Sequence, residues 1–208
     1  MATMMTWDGK SLTVVPQLWL DRLDKKEDQV KVYPSIVTEL HGASFNKNRI
    51  YALAVTGDNT QLMKDTIFAL IKSNYHYSTI KPALQLVTQT HKGSWCTVMM
   101  LTEGACYKLD LTHTGRVLTT NVTEKIVIAA EDTRPFKHIF LRQGNGVLAT
   151  AYALQQLKRT DEMRIVLRVD NGELKQDYYG SIGPSERLHL AWLKLKSRFI
   201  SPMREFAV

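Results

Sequence analysis

The sequence carries only two cysteines, Cys96 and Cys106, and no window approaching the roughly 18 apolar residues needed to cross a bilayer. Its opening residues, MATMMTWDG, hold no basic stretch followed by an apolar one, so no export signal is read there. These shortages lead us to expect a soluble protein kept in a reducing compartment, the cytoplasm, or the host cytoplasm or nucleus if the chain is viral. Asn121-Val122-Thr123 is then a glycosylation sequon by pattern only. The thiols also face a geometric test. Strands over Trp95 to Leu101 and Ala105 to Thr112, joined by a Glu103-Gly104 turn, place Cys96 opposite Leu111 and Cys106 opposite Leu101. Five residues of offset at about 3.3 Å each lies far beyond disulfide reach.

Pairings that carry chemistry are scarce as well. The six histidines are isolated, with no His-x-Glu, His-x-x-x-His or Cys-x-x-Cys spacing to hold a zinc ion. No Gly-x-Ser-x-Gly elbow occurs, and Ser94 has no local partner. Cys96 falls on an apolar strand face, where a thiol is core. The expectation is a protein without catalysis, cofactor, metal or small-molecule substrate.

There is no basic tail, internal repeat, low-complexity segment or Pro/Gly/Ser linker, which argues for one α+β domain over residues 1–208, with a weak subdivision at most near 90–93. What the chain does have is ample material for a core: 208 residues, 44% hydrophobic and 23% charged. A net charge of +7 and a pI near 9.4 turn attention to polyanionic partners.

Strands are expected over Leu12 to Val15, Val30 to Val37 and Arg49 to Val55, then a helix from Asp58-Asn59-Thr60 to about Ser73 with Asp58 or Thr60 as its cap. A strand-dense stretch follows from Pro82 to Arg142, including Leu84 to Thr90 and Phe136 to Leu141. It reads as a central antiparallel meander or small barrel, with a Thr114-Gly115 turn carrying the face of Tyr107, Leu109 and Leu111 on to Leu118, Thr120 and Val122. Gly144-Asn145-Gly146 opens a helix over Val147 to Leu157. Asn171-Gly172 then supplies the two positive-φ positions of a type I′ hairpin, and a basic amphipathic helix ends the chain, for about three helices in all.

Candidate binding residues cluster in that last part. In the hairpin register Val169 faces Leu174, Leu167 faces Gln176 and Ile165 faces Tyr178, an apolar side. The other side gathers Arg164, Val166 and Arg168 against Lys175, Asp177 and Tyr179. We take Arg164, Arg168, Lys175 and Tyr179 as nucleic-acid-binding candidates. Arg134, Lys137 and Arg142 join them, because Phe136, His138 and Phe140 share one side of a strand like a stacking platform. Gly144-Asn145-Gly146 beside Arg142 offers a weak anion cradle at a helix N-terminus. In the final helix Leu188, Trp192, Leu195 and Phe199 form a stripe to dock on the sheet or on a partner, leaving Lys194 and Arg198 exposed.

The segments GSWCTVMMLTEG from Gly93, EKIVIAAED from Glu124 and FKHIFLRQGNGVLATAYAL from Phe136 resemble the strand succession and terminal helix of the ninth non-structural protein of coronaviruses, over about residues 93–156. The resemblance implies a small β-barrel that binds single-stranded RNA and self-associates. Together these features predict a viral, non-catalytic RNA-binding protein that forms homo-oligomers. The alternative is a matrix-like assembly protein touching an anionic membrane surface or a nucleocapsid.

Overall fold

Asp8-Gly9-Lys10-Ser11 turns the chain back on itself, pairing β1 (Met4–Trp7) with β2 (Leu12–Val15), Trp7 against Leu12 and Met4 against Val15. The structure, a computed structural model, describes residues 4–16, 36–38, 43–45, 47–121, 127–129 and 145–199. The strands that follow are β3 (Ile36–Thr38), β4 (Ser44–Phe45), β5 (Asn48–Gly57), β6 (Cys96–Thr102), β7 (Ala105–Leu111), β8 (Val117–Asn121), β9 (Val127–Ala129), β10 (Arg164–Asp170) and β11 (Glu173–Tyr179). They form two antiparallel sheets, β11-β10-β2-β1-β9 and β3-β5-β6-β7-β8, with β4 pairing onto β5. Four helices are described: α1 (Thr60–Lys72), α2 (Tyr77–Thr90), α3 (Gly146–Gln156) and α4 (Pro184–Phe199).

β1 and β2 are buried at every position, which requires cover on both faces. One face sends Met5, Trp7, Leu12 and Val14 against Ala52, Ala54, Met99, Leu101 and Cys106 of the second sheet. Behind the second sheet, Val98, Met100, Leu109 and Leu111 pack under α1 and α2. Behind the first, Met4 and Val15 meet Ala149, Ala153, Leu154 and Leu190 of α3 and α4. The result is a helix–sheet–sheet–helix stack, an α+β fold whose second sheet contains β6-β7-β8 of the expected meander, extended by β5, while β9 joins the first sheet.

Several local expectations agree with the structure. Cys96 pairs with Leu111 and Leu101 with Cys106. Asn171 and Gly172 have φ of 54° and 76°, and the hairpin register runs from Asp170 against Glu173 to Arg164 against Tyr179. α1 begins where expected, although its cap is Asn59, whose side chain accepts from Gln61 and Leu62 amides.

Other expectations fail for identifiable reasons. Residues 84–90 are helical: Ile80, Leu84 and Thr88 are buried at intervals of four, while Leu86 is exposed. The helical period outweighs the β-branched content that suggested a strand. After β7 the chain uses a longer turn than Thr114-Gly115 alone, with the Thr112 amide donating to Arg116 O, so Leu111 pairs with Val117 and Leu109 with Thr119. The register is one residue off the expected one and the face is inverted. The stripe of α4 points away from the sheet: Leu188, Trp192 and Leu195 are 73%, 54% and 53% exposed, whereas Leu190 is buried. The strand expected over Phe136 to Leu141 lies outside the described residues, as does most of Val30 to Val37.

Candidate functional site

Two polar assemblies stand on the first sheet. The first joins the hairpin to α4. Arg164, on β10, is 1% exposed and forms a bidentate pair with Glu186 on α4, Nη1 to Oε1 at 2.5 Å and Nη2 to Oε2 at 2.9 Å. Nη2 also lies 3.4 Å from Gly180 O, and the guanidinium sits 5.7 Å from the Tyr179 ring centroid. Glu186 and Leu190 are one helical turn apart, so drawing Glu186 toward Arg164 also turns Leu190 inward and sends Leu188 and Trp192 outward. The pair thus sets the rotation of α4.

The second assembly surrounds the N-terminus of α3. Asn145 caps the helix by accepting from the Val147 and Leu148 amides. The Gly146 amide donates to Asp8 Oδ2 at 2.9 Å, while Asp8 Oδ1 accepts from the amides of Lys10 and Ser11. The anion at this helix end is therefore the chain's own carboxylate, and the cradle read from Gly144-Asn145-Gly146 is filled internally. Beneath it, Thr6 and Thr150 hydroxyls meet at 3.2 Å, and Thr150 also donates to Gly146 O. A Cβ at Gly146 would stand 3.2 Å from each of Asp8 Oδ2, Thr13 Oγ1 and Thr6 Cγ2, so glycine is what lets the helix approach this closely.

The remaining hairpin candidates are also matched by acids. Arg168 pairs with Asp170 at 2.9 Å and Asp177 at 3.1 Å, and Lys175 with Glu173 at 3.4 Å. Tyr179 is partly exposed beside Arg164. Arg134, Lys137 and Arg142 lie outside the described residues, while Lys194 and Arg198 are on α4 with side chains outside the described set. The structure therefore joins Arg164 and Tyr179 in one contact and spreads Arg168 and Lys175 along the hairpin. The sequence offered a signal for the Glu186 partnership, an acid in the first turn of a basic helix, which the reading of that helix as a basic surface passed over.

Elsewhere, a groove of about 490 Å³ runs between α1 and α2, lined by Phe68, Ala83, Leu86 and Val87. At its rim His91 Nε2 lies 2.7 Å from Asp65 Oδ2, and this contact holds the Asp65 carboxyl below its ordinary value. Burial pushes the Cys96 thiol up to about 12 and raises that of Cys106 too, so neither is a thiolate near neutral pH. Among the described residues no three His, Cys, Asp or Glu side chains gather as a metal site.

No protein-family model matches the sequence, nor does any curated protein. Solved structures do match. An Anbu Gly-1 mutant from Hyphomicrobium sp. strain MC1 superposes with a TM-score of 0.58 at 8% identity, covering 100% of both chains. Another Anbu structure from the same strain gives 0.57 at 9%, and Anbu from Yersinia bercovieri, described as an ancestral β-subunit, 0.57 at 8%, each again with full coverage of both chains. The likeness is one of fold.

It corrects the expectation drawn from residues 93–156. A small RNA-binding barrel would keep that segment together, but here β6 to β8 belong to the second sheet, while β9 and α3 belong to the layers of the first. The neighbours over the full length are Anbu proteins, so the coronavirus resemblance falls, and with it the viral RNA-binding and matrix-like readings. The nucleic-acid and membrane partners fall with them, and the hairpin cations are matched by acids as described. No helix among the described residues is long and apolar enough to cross a membrane.

Proposed function

We propose that this chain works as a subunit of a self-associating particle of the peptidase-related, β-subunit kind. The observation that carries this is the superposition on Anbu proteins over 100% of both chains, one of them described as an ancestral β-subunit. Further support comes from the outward apolar side chains of both helical layers, Phe68 and Leu86 on one and Leu188 and Trp192 on the other, which are large for a surface facing only water.

Within the particle we assign the described residues a scaffolding role rather than a catalytic one. Both thiols are protonated and buried, and His91 is committed to Asp65 at the outer helical layer. A cytoplasmic location belongs to the same proposal, supported by two free cysteines on opposite faces of one sheet.

Sedimentation velocity of the purified chain, followed by incubation of each resolved species with a panel of fluorogenic peptides, tests both parts. Assembly without peptide turnover is the expected result. A chain that stays monomeric at all concentrations rejects the subunit reading; turnover by the assembled species rejects the scaffolding role and leaves the subunit reading in place.

A further inference from the structure

Two asparagines of this chain are followed by glycine, Asn145 and Asn171, and the fold treats the two pairs in opposite ways. The others, Asn46, Asn48, Asn59, Asn74 and Asn121, all precede residues that carry a side chain. Glycine in that place matters chemically, because without a Cβ its amide nitrogen can approach the asparagine side-chain carbon unhindered. In the Asn145-Gly146 pair both reacting groups are held. Asn145 Oδ1 accepts from the Val147 and Leu148 amides at 2.9 and 3.2 Å, and the buried Gly146 amide donates to Asp8 Oδ2 at 2.9 Å. In the Asn171-Gly172 pair neither is. Asn171 is exposed at the tip of the β10-β11 hairpin, and among the described residues neither its carboxamide nor the Gly172 amide has a hydrogen-bond partner. Bringing the two groups together needs rotation of the two-residue tip alone, which is a small local opening.

We propose that Asn171 is a site of spontaneous deamidation, at which the hairpin tip converts with time to aspartate and isoaspartate. The Gly172 nitrogen bonds to Asn171 Cγ and gives up its proton to solvent base, while the side-chain nitrogen leaves as ammonia, closing a succinimide ring. Water then adds at one of the two ring carbonyls and breaks its bond to the Gly172 nitrogen. Opening at Cγ gives aspartate; opening at the main-chain carbonyl carbon gives isoaspartate, with the chain routed through the former side chain. Water is the one co-reactant, and nothing is oxidised or reduced. Either product adds a carboxylate between Asp170 and Glu173, and the iso form also inserts a methylene into a turn whose geometry depends on two residues of fixed backbone sign. The tip lies against the second sheet, with Tyr51 Oη 3.8 Å from where a Cβ on Gly172 would stand, so a lengthened backbone there loosens the hairpin. This goes beyond the subunit reading and does not depend on it.

The test holds the full chain below its melting temperature at mildly alkaline pH for several weeks, beside a sample in denaturant. Both are digested at acidic pH and mapped by mass spectrometry with fragmentation that separates aspartate from isoaspartate. In denaturant the two Asn-Gly pairs should convert at similar rates. In the native protein Asn171 should convert at least about tenfold faster than Asn145, which reacts only when the α3 cap opens. A smaller native ratio, whether both sites are slow or both fast, overturns the assignment. The isoaspartate fraction, separable by ion exchange through its added negative charge, should melt below the parent, whereas Asn171→Asp, which adds the charge without the methylene, should melt close to it. An isoaspartate fraction that melts with the parent overturns the loosening of the hairpin.

Discussion

Arg164 and Glu186 lock together the β10-β11 hairpin and the last helix, through two parallel hydrogen bonds at 2.5 and 2.9 Å. The arginine is almost wholly buried while the glutamate keeps a side-chain exposure of 22%, so removing the carboxylate strands a desolvated cation. Glu186→Ala should destabilise the protein by about 2 to 4 kcal/mol, somewhat below the full cost of breaking a buried pair because water reaches one partner. That corresponds to roughly 5 to 12 °C in melting temperature for a chain of this size. Arg164→Met combined with Glu186→Leu should recover most of the loss. A double variant no more stable than Glu186→Ala would show that the pair does more than balance charge.

Gly146→Ala separates two opposing effects. Alanine is favoured over glycine inside a helix by about 1 kcal/mol, less at the first helical position. Here the new Cβ would meet three atoms at 3.2 Å, and two of them are pinned, Asp8 Oδ2 by the Gly146 amide and the Thr6 side chain by Thr150. Overpacking wins, and we expect a net loss of roughly 1 to 3 kcal/mol in chemical denaturation. A stabilised variant would mean that α3 can ride outward from the sheet at little cost.

What the sequence made legible is local. The Asn171-Gly172 turn fixed its own backbone sign, and alternation on both flanks then set every pair of the hairpin. The same held for Cys96 to Leu111, where one turn and one apolar face determine the register. What was not legible is which face meets what. Val98, Met100, Leu109 and Leu111 alternate with Met99, Leu101 and Cys106, and both sets are buried, because each sheet is covered twice, once by helices and once by the other sheet. Nothing local to β10 says that Arg164 lies under a helix twenty-two residues further on. Reading it as a solvated cation followed from treating one side of the hairpin as open. The Asp8 to Gly146 contact spans 138 residues and has no local signature at all.

The Asp65–His91 contact gives a pH dependence with a definite sign. The hydrogen bond from His91 is the main reason the Asp65 carboxyl titrates below 3.8, helped by Gln61 Nε2 at 2.8 Å. A carboxyl whose value is depressed on folding contributes stability above its unfolded value, and that contribution is lost as pH falls through the folded one. Asp65→Asn should therefore be less stable than the parent near neutral pH, with the two curves converging as pH drops below about 4. Because Asp65 is exposed at the helix surface the gap should be small and shrink with salt. Curves that stay parallel from neutral to acid would assign the difference to something other than this ionisation.

The two thiols provide the last test, one that reads register and burial together. Cys96 lies under α1 and α2, with its thiol pushed up to about 12, and Cys106 lies between the sheets with its thiol raised as well. Alkylation needs the thiolate and access, and the fold withholds both. Iodoacetamide at mildly alkaline pH should therefore label the native protein at the rate of its opening reactions, far slower than a free thiol. In denaturant without reductant both residues should label at once, since paired strands place them on opposite faces and no disulfide joins them. Mass spectrometry distinguishes the outcomes. One fast native label would place that cysteine at the surface and break the packing of its layer, whereas failure of both to label after unfolding would mean a disulfide that this strand pairing forbids.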